Sequence, residues 1–168
     1  MIFKFLNKSF YINFSIVALT YFLDRFTKIY VIQLDKNNLG SDIFNSAYLN
    51  ITLIWNKGIA FGLFSFTEAY LYNFLSLIIS IIIIILVVMS FKSPSFKKYS
   101  LLMIVGGALG NLHDRIFINA VPDFIDFHVG DFHWFVFNVA DIFISIGVIL
   151  MIFFEIIDNN RININDKN

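Results

Sequence analysis

Long apolar runs divide the chain into four segments that can each form a membrane-spanning helix. The runs cover residues 10–34, 69–91, 99–118 and 134–157. A helix that crosses the hydrocarbon core of a bilayer needs about 20 mostly apolar residues, and each run reaches that length. The run at 69–91 is the clearest because it contains no charged residue. The pattern predicts a mainly α-helical integral membrane protein, built as a four-transmembrane-helix bundle.

Two longer segments, at about 35–68 and 119–133, connect the apolar runs. Residues 48–54 alternate apolar and polar positions, and Asn56-Lys57-Gly58 is typical of a turn, so the first connection is expected to contain a short β-sheet. The tail at 158–168 is polar and is expected to fray. The whole chain, 1–168, is expected to form a single membrane-embedded domain.

Composition supports a membrane protein and excludes several chemistries. Charged residues make up 14% of the chain and hydrophobic residues 58%, whereas a soluble domain carries about 25% charged residues. The net charge of zero offers no basic face for nucleic acid. The chain has no cysteine, which excludes disulfides, thiolate metal sites and cysteine nucleophiles.

Lysine and arginine are distributed unequally between the two sides of the predicted bundle, and this predicts its orientation. The positive-inside rule places the richer side in the cytoplasm, so both termini are expected there and the two longer connections outside. Asp24-Arg25 stands where a signal-peptide cleavage site would be expected, which favours a retained first helix. The richer side holds Lys4, Lys8, Lys92, Lys97, Lys98, Arg161 and Lys167, against Lys36 and Lys57 on the other.

Three carboxylates, Asp24, Asp114 and Asp141, lie inside apolar runs. With a rise of about 1.5 Å per residue, Asp24 and Asp114 lie roughly 21 and 22 Å from the cytoplasmic edge, and Asp141 roughly 10 Å below the outer edge. In a core of about 30 Å, all three share one level in the outer third. Ionisable residues inside a span are costly, so their presence indicates function or pairing.

Asp114 and Asp141 can face each other because they lie on consecutive antiparallel helices. Two carboxylates in one low-dielectric site share a proton, so one can accept a proton from water while the other donates, which suits peptide hydrolysis. Asn111 and Asn138 each precede one of these aspartates by three residues, on the same helical face. Ion pairing with Arg115 and Lys28 is the structural alternative, and depth alone leaves both interpretations open.

Five short segments carry a resemblance to a known family. They are DRFTK at 24–28, NKGIAFG at 56–62, GGALGNLHDR at 106–115, VPDFIDF at 121–127 and FNVAD at 137–141. In this order, with four spans, the sequence resembles the lipoprotein signal peptidases, the type II signal peptidases that are intramembrane aspartic proteases. The similarity extends from about residue 21 to 152.

The resemblance implies an endopeptidase that cleaves prolipoproteins before a diacylglyceryl-modified cysteine, with Asp114 and Asp141 as its catalytic dyad. It implies a bacterial inner-membrane location, an extracytoplasmic sheet cradle and short loop helix from residues 35–68, and cyclic-peptide antibiotics as inhibitors. Membrane lipids are the expected surroundings, and the expected protein is a monomer with no cofactor, no metal and no nucleic-acid partner. The matched substrate-binding or supporting positions are Asn56, Gly58, Asn111, Arg115, Asp123, Asn138, Ala140, Asp24 and Lys28.

Some residues fit other interpretations. Asp24 and Lys28, four residues apart, are expected to form a structural pair on one helix face. His113, Ile59 and Pro122 depart from the residues usual in the family. The histidines and carboxylates of the 119–133 connection match no compact metal motif, so a polar interfacial loop is favoured over a metal site; these residues are Asp126, His128, Asp131 and His133.

A different class of function is also open. A small proton-linked transporter could use Asp24, Asp114 and Asp141 as a proton relay, and a structural subunit could use them to pin helices. A relay would spread its carboxylates through several depths, whereas these three share one level. The peptidase is therefore the favoured interpretation.

Overall fold

Four long helices and a small antiparallel sheet make up the described part of the chain. The computed structural model describes residues 8–38, 42–58 and 69–165. Its helices are α1 (Lys8–Asn37), α2 (Ala69–Lys92), α3 (Ser95–Phe117) and α4 (Val139–Asn165); its strands are β1 (Phe44–Asn45), β2 (Leu49–Asn56), β3 (Val121–Val129) and β4 (Phe132–Phe137). The sheet order is β1-β2-β3-β4. A mainly helical fold with a small sheet is thus confirmed.

Helix α3 packs against α1, α2 and α4. Its glycines permit this packing, because a Cβ atom at Gly106 would meet the Thr20 side chain of α1 and one at Gly107 would lie 2.6 Å from the Ala140 carbonyl oxygen of α4. Small residues at helix interfaces let backbones approach closely. The small-residue run in α3 therefore sets the spacing of the helices around it.

The helices expose apolar side chains and bury charged ones. Phe74 is 60% exposed and Ile84 62%, whereas Asp24, Lys28 and Asp114 are fully buried. This reverses the usual distribution in soluble proteins, and large apolar surfaces indicate contact with a nonaqueous partner. Among the described residues, Tyr70–Lys92 and Val139–Asp158 are long and apolar enough to cross a membrane, by length and composition.

The connection between α3 and α4 differs from the sequence prediction. The fourth helix was expected to begin near Trp134, but residues 132–137 form β4, which pairs with β3, and α4 begins at Val139. Residues 119–133 thus supply much of the sheet rather than an irregular loop. Aromatic and β-branched residues favour strands, yet they also raise the apolar content of a predicted helix, so counting apolar residues does not separate the two.

The first connection agrees with the sequence prediction where it is described, whereas the C-terminal tail differs from it. The sheet predicted around residues 48–54 is confirmed as β2. The short loop helix expected from residues 35–68 is not found among the described residues 42–58, and residues 59–68, which include Ile59, lie outside the described part of the chain. The tail was expected to fray from Asp158, but α4 continues through Asn165. Lys97 of α3 forms ion pairs with Glu155 at 2.7 Å and Asp158 at 2.8 Å, which ties this extension of α4 to α3.

Replacing Gly107 with alanine should destabilise the protein. The new Cβ would press on a backbone carbonyl of α4, which cannot move unless the helix shifts. Overpacking of this kind costs about 1–3 kcal/mol, so the thermal unfolding temperature in detergent should fall. Ile149→Ala is the matched control. Ile149 lies on the outer surface of α4 and is 65% exposed, so this substitution should change the unfolding temperature little. An unchanged unfolding temperature in Gly107→Ala would contradict the close contact of α3 with α4.

Candidate active site

Four charged side chains of α1 and α3 form a buried ion cluster. Lys28 Nζ lies 2.9 Å from Asp24 Oδ2 and 2.7 Å from Asp114 Oδ2. Arg25 contacts the other Asp114 oxygen, Oδ1, through Nη1. Two cations balance two anions, which offsets the desolvation of charges held inside a protein. The predicted pairing of Asp24 with Lys28 is confirmed.

The ion cluster is connected to the start of α4 at two points. Lys28 Nζ donates to Asn111 Oδ1 at 2.7 Å, and Asn111 Nδ2 donates to Asp141 Oδ1 at 2.9 Å. The backbone N–H of Ala140 donates to Asp24 Oδ1 at 3.0 Å. Because Lys28 occupies the amide oxygen of Asn111, the amide nitrogen is directed to Asp141.

Asn138 and Asp141 begin α4 with reciprocal hydrogen bonds. The Asn138 N–H donates to Asp141 Oδ2 at 3.2 Å, and the Asp141 N–H donates to Asn138 Oδ1 at 3.1 Å. This exchange between the residue before a helix and the residue three positions later is the geometry of a capping box. The Asn-x-x-Asp spacing therefore fixes both the first turn of α4 and the orientation of the Asp141 carboxylate.

Asp123 of β3 is a further buried carboxylate at this site. Its Oδ2 accepts a hydrogen bond from Asn56 Nδ2 at 2.8 Å, and its Oδ1 accepts one from Asn138 Nδ2 at 2.6 Å. Burial, opposed by these amide donors and aided by the negative charge of Asp141, raises the pKa of Asp123 to about 6. Asn138 thus bonds to both Asp123 and Asp141.

Arg115 joins α3 to the end of β2. Its Nη2 donates to the Gly58 carbonyl at 3.1 Å and its Nη1 to the Asn111 carbonyl at 3.3 Å. The side chain is buried. The Gly58 N–H donates to Asn56 Oδ1 at 2.8 Å, which leaves the Asn56 amide nitrogen directed at Asp123.

Asp114, the predicted catalytic partner of Asp141, belongs to the buried ion cluster. Both of its oxygens contact cations, Lys28 and Arg25. Asp141 is instead linked through Asn138 to Asp123. Asp123 lies outside the apolar runs, so a comparison of depths along those runs does not pair it with Asp141. The sequence feature that could have pointed to Asp123 is the position of a carboxylate inside the short apolar stretch 121–125.

An apolar cavity of about 710 Å³ opens beside Asp141. The β3–β4 hairpin and α4 form much of its wall, and Asp141 is the one carboxylate among the described residues that line it. The arrangement can accept an extended apolar ligand with one end next to a carboxylate. Apolar lining residues include Trp134, Phe137, Ile142 and Ile146.

Two of the residues that depart from the family pattern, Pro122 and His113, lie in the described part of the chain. Pro122 pairs with Trp55 of β2 in the sheet, next to the pair of Asp123 with Ile54, and the β2–β3 ladder has an irregularity just beyond this pair, between Ile51 and Ile54. His113 shares a 2.9 Å hydrogen bond with the Tyr21 hydroxyl and packs against Phe117.

Similarity to known proteins extends over nearly the whole chain. The sequence pattern of the family described as signal peptidase (SPase) II matches residues 16–157. A lipoprotein signal peptidase of Pelagibacter ubique (strain HTCC1062) is 48% identical over 161 residues, covering 96% of each chain. One from Anaplasma phagocytophilum (strain HZ) is 43% identical over 143 residues, covering 84% of this chain and 89% of the relative. A solved bacterial membrane enzyme structure matches with a TM-score of 0.75 and 30% identity over 89% of this chain and 90% of that chain. The chain therefore belongs to the signal peptidase II family.

Proposed function

We propose that the chain is an aspartic endopeptidase that removes the signal peptide from prolipoproteins by cutting before their diacylglyceryl-modified cysteine. Family membership supports peptidase activity, and the names of the relatives support the substrate class. The observation that carries the aspartic chemistry is Asn138, which hydrogen-bonds to Asp123 and to Asp141 at the edge of an apolar cavity.

The proposed dyad is Asp141 with Asp123, in place of the Asp114 pairing that the sequence favours. A general base needs an oxygen that can accept a proton from water. Each Asp114 oxygen is held by a buried cation, Lys28 or Arg25. Among the described residues, the hydrogen bonds to Asp123 come from the neutral amides of Asn56 and Asn138, and burial, aided by the negative charge of Asp141, raises the pKa of Asp123. Such a pair can hold one proton between its members.

Hydrolysis then uses one ionised and one protonated carboxyl group. The ionised member takes a proton from water while the water oxygen bonds to the carbonyl carbon of the scissile peptide. The protonated member donates its proton to the carbonyl oxygen. The C–N bond then breaks, a proton passes to the leaving nitrogen, and the products are a signal peptide with a new carboxyl group and a lipoprotein with a free cysteine amine.

The surrounding residues position the dyad. Amide donors orient both carboxylates, the guanidinium of α3 holds the end of β2, and the buried ion cluster fixes α1 against α3 and α4. The positioning residues are Asn56, Gly58, Asn111, Arg115, Asn138, Ala140, Asp24 and Lys28.

The apolar cavity is the proposed place of entry for substrate. Its lining is almost entirely apolar, which suits a lipid-modified segment arriving from the bilayer, and Asp141 lies at its margin. Cyclic-peptide inhibitors of the family would compete for the same space. The catalytic groups all come from a single chain, which is consistent with a monomer.

The proposed topology has four spans, with both termini in the cytoplasm and the sheet on the outer side of a bacterial inner membrane. The two strongly apolar helices support two of these spans directly. The other two, α1 and α3, bury and pair Asp24, Arg25, Lys28 and Asp114 between them, as charges inside a membrane require.

Asp123→Asn and Asp141→Asn should each abolish cleavage of a diacylglyceryl-modified prolipoprotein by the purified protein in detergent. An acid or base contributes on the order of 10²–10⁴-fold, so precursor conversion on a gel should slow by at least about 100-fold. Asp131→Asn, an exposed carboxylate in the β3–β4 turn, is the matched control and should cleave normally. Normal cleavage by either dyad variant would contradict the assignment.

The same assay separates Asp114 from the dyad. Asp114→Asn leaves the buried cluster with an excess positive charge, so both the unfolding temperature and the cleavage rate should fall. Combining Asp114→Asn with Arg25→Gln restores charge balance around Lys28 and should recover a measurable part of both. If the double variant regains stability but not cleavage, Asp114 contributes to catalysis in a way that goes beyond balancing the charge of the cluster.

Stability should also report the raised pKa of Asp123. Its pKa is about 6 in the folded protein and 3.8 when unperturbed, so between about pH 4 and pH 6 the folded state binds more protons than the unfolded state. The wild type therefore loses stability from this group as pH rises through that window. The unfolding temperature of Asp123→Asn minus that of the wild type should therefore increase as the pH rises from 4 to 7. The same difference for Asp131→Asn should stay constant over this range. A pH-independent difference for Asp123→Asn would overturn this prediction.

A further inference from the structure

The β3–β4 hairpin carries a second cluster of side chains that the proposed peptidase chemistry does not use. His133 of β4 lies opposite His128 of β3 in the ladder, and Asp126 precedes His128 by two residues. One potential ligand atom from each of the three lies within 4.8 Å of the others. Strand pairing thus brings together residues whose spacing along the chain indicates no metal motif. Asp131 lies outside this group, in the turn.

Two polar atoms of this cluster have unused hydrogen-bonding capacity. Asp126 is 93% buried, and its Oδ2 lies 2.8 Å from His133 Nδ1. Its Oδ1 and the Nδ1 of His128 are buried and have no hydrogen-bond partner among the described residues. Buried polar atoms are normally satisfied, so an oxygen and an imidazole nitrogen in this state point to a ligand that binds both.

We propose that Asp126, His128 and His133 form a binding site for a divalent transition-metal ion of the Zn²⁺ class. Imidazole nitrogen and carboxylate oxygen are common ligands of Zn²⁺, and three protein ligands leave one position for water. Magnesium and calcium prefer all-oxygen coordination, so this donor set disfavours them.

The cluster can reach metal-binding geometry with small side-chain movements. Bond lengths of about 2.0–2.2 Å in a tetrahedral site place ligand atoms about 3.4 Å apart. In this structure the three potential ligand atoms lie within 4.8 Å of one another, so they need to approach only slightly. The His133 side chain is 51% exposed, so its ring can turn without displacing packed neighbours. The two imidazole rings already lie face to face, with centroids 4.9 Å apart and planes 19° from parallel.

A bound ion would connect the two strands of the hairpin near its turn. His128 also lines the apolar cavity beside Asp141. The ion would therefore stiffen one wall of that cavity while taking no part in the chemistry of the dyad. Metal binding at this hairpin does not depend on the proposed peptidase activity.

The direct test is calorimetric titration of the purified full-length protein with zinc chloride, after removal of any affinity tag. One Zn²⁺ should bind per chain and raise the thermal unfolding temperature, and Co²⁺ should give the visible absorption bands of a tetrahedral site.

Variants locate the site. His128→Gln and His133→Gln should each weaken Zn²⁺ binding by more than about tenfold, the lower end of the loss expected even for an outer-shell partner. His113→Gln, which removes the remaining histidine of the chain, should bind Zn²⁺ like wild type, and Asp141→Asn should as well. No saturable binding, or binding that both hairpin histidine variants leave unchanged, would overturn the proposal. Equal affinity for Mg²⁺ would also overturn it.

Discussion

The buried ammonium group of Lys28 is the interaction on which the arrangement of helices and site depends. It contacts Asp24, Asp114 and Asn111, and its side chain is fully buried. Removing one partner of a buried ion pair costs about 3–5 kcal/mol, because the remaining charge is left without compensation. These charges come from α1 and α3, and Asp24 also accepts a hydrogen bond from the first turn of α4. The three helices are therefore held in one relative placement.

The orientation of the carboxylates follows from this placement through side-chain amides. An asparagine amide has one accepting and one donating end, so fixing one end directs the other. Lys28 takes the oxygen of Asn111 and directs its nitrogen to Asp141. The Asp141 N–H takes the oxygen of Asn138 and directs its nitrogen to Asp123. The proposed dyad is thus held by groups that are already oriented, which is how a rigid scaffold prepares a catalytic site.

The helices and the local pairs could be predicted from sequence, because their signals are short-range. Apolar run length predicts α1 to α3 within a few residues, and the four-residue spacing predicts the pair of Asp24 with Lys28. The β4 strand could not be separated from α4, since its aromatic residues satisfy both patterns. The contact of Asn138 with Asp123 spans 15 residues and two elements, and the approach of His133 to Asp126 depends on strand register. Neither periodicity nor depth along a helix contains that information.

Electrostatic coupling of Asp123 and Asp141 within one carboxylate pair is the basis of the proposed dyad. Its most direct test is a titration of the Asp123 carboxyl group by carbon-13 NMR, in wild type and in Asp141→Asn. We expect a pKa of about 6 for Asp123 in the wild type, where burial and the charge of Asp141 both raise it, and a lower value in Asp141→Asn, because the negative neighbour is gone. The same pKa in both proteins, or an ordinary carboxyl pKa in the wild type, would contradict it.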